Sequence, residues 1–230
     1  MAIACKIDPL GIHNIPGGYK RVNYIKTADS QQWIDTDRDG KGIFLDGLSA
    51  RYDVTLRTRI LLIDSIYWPQ ALFAAKINND TGAVLYCGGA QGKPGLYQGP
   101  MYTQENTGTV RGYNKPVTIS DKPNTIVLSN VDQPTIDSLP GRRVATGGSY
   151  FANSSVSGAV CFFKNIRRRN ETWETTSPPG VSLYECIIER DGIEVAHFVP
   201  CLDNTGRPCL FDIISRNTYY SSGKGELLWG

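Results

Sequence analysis

The densest run of oxygen ligands in the sequence is Asp35-Thr36-Asp37-Arg38-Asp39-Gly40, followed by Asp46. It satisfies positions 1, 3, 5 and 12 of a calcium loop, with glycine at position 6. Three acids so close in the chain would gain from a divalent ion. Against that reading, position 8 is Gly42 rather than a β-branched residue, position 12 is Asp rather than the bidentate Glu, and no flanking helix is visible. An acidic turn between two strands accounts for the same residues, so no metal ligand is assigned and no cofactor is expected.

Catalytic arrangements are equally sparse. A glycosidase needs two carboxylates flanking the scissile bond, which on a strand means acids at i, i+2 or i+4 of one face. Glu185, Ile187 and Glu189 come closest, but the middle position is apolar and the two acids read as solvent-facing. Neither His13 nor His197 has a nucleophile at a recognisable spacing. His197 lies between Val195 and Val199 on one strand face, with Cys201 beyond; a Cys/His dyad needs convergence from separate elements, which spacing alone does not supply. No catalytic residue is assigned, and the expectation is a protein that is not an enzyme.

Binding chemistry offers more. A sugar's apolar face stacks on exposed aromatic rings, with Asn, Asp and Gly serving its hydroxyls. Trp68, Tyr97, Tyr102 and Trp173 lie in loop-like contexts and are the candidates, each weighed against anchoring its own loop, whereas Trp33 and Trp229 fall in expected strands and read as core. The cluster Lys164, Arg167, Arg168 and Arg169 reads as a solvated loop, with an acidic neighbouring subunit as the partner it would fit.

The elements that must position these groups are strands. From Arg51 to Ile60 the chain alternates, with Tyr52, Val54, Leu56, Thr58 and Ile60 on one side and charged or hydroxyl residues on the other, the period of a half-buried antiparallel strand. Shorter runs at 71–76, 83–87, 124–130, 158–164 and 208–213 are bounded by Gly, Pro, Asn or Asp, and no segment carries a helical apolar stripe. Ser182–Arg190, Asp191-Gly192 and Ile193–Val199 read as a hairpin, because Asp-Gly supplies the two positive-φ residues of a type I′ turn. Residues 88–123 read as a long loop with room for one short strand, and residues 165–180 as a second loop. Residues 1–21 read as an irregular arm ahead of a single domain, 22–230; with Ile3, Ile7, Leu10, Ile12 and Ile15 it is too aliphatic for a solvated tail. It would cover either its own domain or a neighbouring subunit.

Composition narrows the classes. With 24 Lys and Arg against 22 Asp and Glu, the formal charge of +2 gives no sustained positive field, so nucleic acid is not an expected partner. The longest apolar candidate, Ile60–Ile66, is broken by Asp64, and no membrane insertion is expected. Lys6 and Asp8 interrupt any secretory core, which predicts a chain made in a cytoplasm without a signal peptide. The six cysteines form no C-x-x-C pair and read as free, mostly buried thiols. The Asn79, Asn153 and Asn170 glycosylation triplets carry no weight in that compartment.

Two ends of the chain resemble one family. Tyr24 to Thr36, with Trp33-Ile34-Asp35-Thr36 after a short turn, is similar to the opening strands of the concanavalin A-like (LamG-type, jelly-roll) domains of bacteriophage structural proteins and gut bacterial surface proteins. Leu183 to Cys186, the Asp191-Gly192 turn, Phe198 to Cys201, Leu210 to Asp212, Tyr219-Tyr220 and Gly223-Lys224-Gly225 resemble its closing strands in order and spacing. The middle matches loosely, and Cys209 stands where Gly is commoner. The resemblance, over 22–230, implies an all-β two-sheet antiparallel jelly-roll sandwich and says little about ligand. The expected function is a non-enzymatic virion structural protein, a capsid decoration or tail-appendage subunit in a homo- or hetero-oligomeric assembly with other virion subunits. The alternative is a carbohydrate-binding adhesin or receptor-binding lectin with cell-surface glycans as partners.

Overall fold

The computed structural model describes residues 15–29, 31–45, 50–59, 70–78, 81–87, 96–99, 123–129, 135–136, 139–140, 158–164, 167–169, 172–174 and 181–230. Among these the regular elements are all strands. The first half holds β1 (Lys20–Arg21), β2 (Ile25–Lys26), β3 (Ile34–Asp35), β4 (Phe44–Leu45), β5 (Tyr52–Arg59), β6 (Gln70–Asn78), β7 (Thr81–Cys87), β8 (Leu96–Gly99) and β9 (Asn124–Ser129). The second holds β10 (Thr135–Ile136), β11 (Leu139–Pro140), β12 (Gly158–Phe162), β13 (Arg167–Arg169), β14 (Thr172–Glu174), β15 (Ser182–Arg190), β16 (Ile193–Leu202), β17 (Pro208–Asp212), β18 (Thr218–Tyr219) and β19 (Leu228–Trp229).

Two antiparallel sheets share one core. The larger runs β11-β10-β9-β5-β15-β16-β17-β18, and the smaller runs β3-β12-β6-β7-β8 with β4 on β12. The alternation expected for 51–60 is observed: Tyr52, Val54, Leu56 and Thr58 are buried, and the residues between them are half-buried or exposed. Val54, Leu56, Ile126, Leu128, Ile188 and Phe198 of the larger sheet meet Leu72, Phe73, Val160 and Phe162 of the smaller in a single apolar cluster. Phe73 lies opposite Phe162 in register within the smaller sheet. Phe162 then reaches across to Phe198, edge-on, with centroids 5.0 Å apart. The result is an all-β, sandwich-like fold.

The hairpin forms as its sequence predicts. Asp191 (φ 52) and Gly192 (φ 76) are both left-handed and join β15 to β16. At the other end of that ladder, β15 and β16 part after Cys186 and Phe198, with a register shift in β15 against β5 between Leu183 and Glu185. The start of the chain pairs with both strands there: β1 with Leu202 and Cys201 of β16, and β2 with Ser182 and Leu183 of β15, while β19 adds to β2. Opening and closing segments are thus bonded directly. Trp33 and Gln31 carbonyls accept the Ser222 and Lys224 amides at 2.7 and 3.0 Å, and the Gln32 side chain donates to the Glu226 carbonyl at 2.7 Å. Gly223 is obligatory at this crossing, because a Cβ there would lie 1.8 Å from the Gln31 carbonyl oxygen.

The outer face of the larger sheet holds a second, smaller cluster. Val199, Cys201, Cys209 and Phe211 are buried there beneath Ile15, Tyr19, Ile213 and Tyr220. The last residues of the arm therefore fold back on their own domain, one of the two destinations considered for it; residues 1–14 lie outside the described residues. No helix is present among the described residues, so none there is long and apolar enough to cross a membrane.

Candidate binding site

The acidic run folds as a turn between β3 and β4. An Asp35 carboxylate oxygen accepts the Asp37 amide at 3.0 Å, the Gly40 amide donates to the Asp37 carbonyl, and the buried Thr36 hydroxyl donates to the Val160 carbonyl at 2.8 Å. These are the bonds of an ordinary acidic turn between strands. Among the described residues no group of three His, Cys, Asp or Glu side chains is placed to hold a metal, and Asp46 lies outside them.

This turn faces the closing strands across a depression of about 220 Å³. One wall is Asp35, Thr36, Arg38, Asp39 and Lys41, and the other is Arg207, Thr218, Tyr219 and Tyr220. The walls are tied together. Arg38 donates to the Ser221 carbonyl at 3.0 Å, and the Tyr219 hydroxyl donates to the Lys41 carbonyl at 3.0 Å.

Asp203 fixes the far wall by accepting the Thr205 hydroxyl and the Thr205 and Arg207 amides, and the Tyr220 hydroxyl at 2.9 Å. These donors, the Thr205 hydroxyl first, hold its carboxyl down at about 2. The Arg207 guanidinium lies over the Tyr220 ring, 4.4 Å from its centroid, and sits 3.7 Å from Glu226.

Behind the Asp35 wall is a buried pair. The Lys164 ammonium sits 3.1 Å from the centroid of Trp33, and desolvation brings its pKa down to about 8 against the opposing pull of Cys161 and Asp35. Burial, reinforced by the neighbouring Asp35 carboxylate, pushes the Cys161 thiol well up. Lys164 is therefore not part of a solvated basic loop, as its sequence neighbours suggested: it is 6% exposed and stacked on an indole.

A second polar constellation lies on the outer face of the larger sheet. His197 offers Nε2 to Glu185 at 2.8 Å and Nδ1 to Glu194 at 2.7 Å, with Arg21 3.7 Å from the same Glu185 oxygen. Burial pulls the pKa of the ring down, but both ring nitrogens are engaged by carboxylates, and together Glu185 and Glu194 raise it above the ordinary histidine value. The His197 bond holds the Glu185 carboxyl below its ordinary range. Glu185 is thus not the solvent-facing acid its strand position suggested. Cys201 is buried and its thiol is pushed by desolvation to about 12, which removes it as a nucleophile beside His197. Cys186 and Cys209 are also free, buried and raised by the same cause.

Of the four aromatic candidates nominated for binding, Tyr97 and Trp173 lie in strands. Trp68 and Tyr102 lie outside the described residues. Tyr97 is in β8, a short strand within the expected long loop, opposite Tyr86 of β7. Arg167, Arg168 and Arg169 likewise form β13 rather than a loop, paired with β14 so that Arg168 faces Trp173 in register. A uniform arginine run has no polar–apolar alternation to betray a strand. Trp229 is in a strand as expected, but it lies on the outermost one and is 49% exposed, so it is not core; Trp33 is half-buried. Sequence reasoning missed Arg38 and Lys41, because the turn was read for its acids and the bases in it were passed over, and Arg207 and Thr218, because nothing local in the chain sets them opposite that turn. Compared with known proteins, the chain matches no family model, no curated protein and no solved structure.

Proposed function

We propose that this chain is a non-enzymatic structural subunit of a bacteriophage particle, a capsid decoration or tail appendage built on a concanavalin A-like jelly roll. The observation that carries the reading is the direct bonding of the two segments that resemble that family. Tyr24–Thr36 and Leu183–Gly225 are remote in sequence and form one continuous unit through β2, β15 and the Gln31–Lys224 and Trp33–Ser222 bonds. The non-enzymatic half is supported by how the reactive groups are used: the described thiols with raised pKa are buried, and the His197 ring is bonded on both sides. The test is co-expression of the tagged chain with the particle genes that neighbour its own, followed by density banding. Recovery in fixed stoichiometry with intact particles supports the reading, and its exclusion from them overturns it.

A carbohydrate-binding adhesin is the second reading, favoured by the polar depression between the acidic turn and Arg207. A glycan array with the purified chain separates the two.

A further inference from the structure

We propose that Cys201 and Cys209 form a redox latch, a dithiol in a reducing compartment that closes to a disulfide across the β16–β17 ladder when the chain meets an oxidising one. The inference is independent of the particle and lectin readings, since it concerns two side chains that neither of them uses.

No C-x-x-C spacing announces the pair; the register makes it. Cys201 lies directly opposite Cys209. At one end of this ladder the Asp203 amide donates to the Arg207 carbonyl, and at the other the Ile213 amide donates to the His197 carbonyl, at 3.0 and 2.8 Å. Counting in twos from either end makes 201 and 209 a hydrogen-bonded pair, and it puts Pro200 and Pro208 where the ladder uses no amide. The α carbons of such a pair stand about 5.5 Å apart, inside the span a disulfide bridges. Opposed residues share a face, and the Cys209 sulfur is turned toward its partner's strand, donating to the Cys201 carbonyl at 3.4 Å. Both side chains are fully buried in one small cluster with Val199 and Phe211. The other cysteines in strands face no thiol: Cys161 is opposite Asp35 and Ala74, Cys186 opposite Phe198 and Leu56, and Cys87 opposite Gln70 and Leu96.

The cover over the pair gates it. Exchange needs a thiolate, whereas burial holds the Cys201 thiol up at about 12 and raises that of Cys209 as well. Ile15, Tyr19 and Tyr220 supply the cover, from the two ends of the chain, and local opening there admits solvent and reagent without opening the core around Phe198. Arg21 draws the Cys201 thiol downward, so Cys201 ionises first. Its thiolate attacks one sulfur of a small-molecule disulfide and one small thiolate leaves. The Cys209 thiolate then attacks the Cys201 sulfur of the mixed disulfide and expels the second. One protein S–S bond forms, and one small disulfide is reduced to two thiols.

The test is incubation of the folded full chain with oxidised glutathione, followed by mass mapping of the monomer after cleavage at Asp203, which separates the two cysteines. A Cys201–Cys209 link is expected, with Cys161 and Cys186 still free thiols, and dithiothreitol should restore the dithiol. Tyr19→Ala should speed the link roughly tenfold by making the cover easier to open. Cys209→Ser should stop at one glutathione on Cys201. The linked protein should melt about 2–6 °C higher than the dithiol. Absence of the link from the folded protein, its appearance only together with loss of the Cys161 and Cys186 thiols, or pairing of Cys201 or Cys209 with any other cysteine would each overturn the proposal. An unaltered rate in folded Tyr19→Ala overturns the gate, and an unchanged or lower melting temperature of the linked form overturns the latch.

Discussion

The two faces of β16 are both dry along its second half, but they are dry for different reasons. On the inner face Phe198 is one ring in a chain from Phe73 through Phe162 to Tyr219, with centroid separations of 5.9, 5.0 and 5.6 Å, and that chain joins the sheets. On the outer face Val199 and Cys201 are covered by a few local residues, chiefly Ile15 and Tyr19 from the start of the chain and Tyr220 from the end. The inner cluster is made by the fold itself. The outer one exists only because the chain termini return to close it, and the same return builds the walls of the depression.

This difference predicts unequal losses. Phe198→Ala removes a fully buried ring from the middle of the inner chain and should cost about 3–5 kcal/mol, read as a large drop in the denaturant midpoint. Tyr19→Ala removes the ring 5.6 Å from Phe211 and the hydroxyl bonded to Thr218, and should cost about 2 kcal/mol because the site is half-open to water. Equal costs for the two would mean that the arm is as integral to the core as the sheets are. A smaller loss is expected at the hairpin. Gly192→Val places a β-branched side chain at φ 76 with open space around it, so the cost is backbone strain alone, about 1–2 kcal/mol. An unchanged melting temperature would show that the type I′ turn is not what sets the register of β15 on β16.

The legibility of the fold in the sequence follows the same division. β5 and the β15–β16 hairpin were readable because one has a wet face to alternate with and the other has Asp191-Gly192. β17, Pro-Cys-Leu-Phe-Asp, is buried at every position, so its period vanished; only its flanking residues marked it as a strand. The termini were harder. Nothing local in Ile15 to Tyr19 says which surface they cover, and nothing local in Arg207 says that it will face Lys41. The depression is made of residues far apart in the chain, and single-sequence patterns carry no record of such convergence. The His197 clamp was hidden: three residues apart on a regular strand would put Glu194 and His197 on opposite faces, the ladder is irregular between Ile188 and Glu189, and Glu185 joins them only through the diagonal of the β15–β16 ladder, two residues from the Ile187 that faces His197.

The smallest expected effect belongs to that clamp, and it is the one that responds to pH. The groups facing His197 are Glu185 from β15, Glu194 from its own strand and Arg21 from β1 through Glu185, while its backbone amide is held by Asp212 of β17. In the unfolded chain the imidazole titrates near 6.5, and in the folded protein its pKa is raised above that. The folded state therefore binds the proton more tightly. Its contribution to stability is complete below pH 6.5 and is lost as pH rises through the folded pKa, where the ring can no longer donate to both carboxylates. His197→Gln keeps one hydrogen bond and no charge, so it should cost about 1 kcal/mol at acidic pH and little once the native histidine has lost its proton. Denaturation midpoints of the two proteins measured across pH 5 to 9 should converge at the alkaline end. Parallel curves would show that His197 does not change charge in that window. Divergence toward alkaline pH would show that the neutral ring, not the imidazolium, is the form the fold prefers. Because Arg21 lies on the strand that follows Tyr19, the outer cover should loosen together with the clamp, and amide exchange of Lys20–Val22 should speed up on the alkaline side while that of Phe198 and its inner neighbours stays slow.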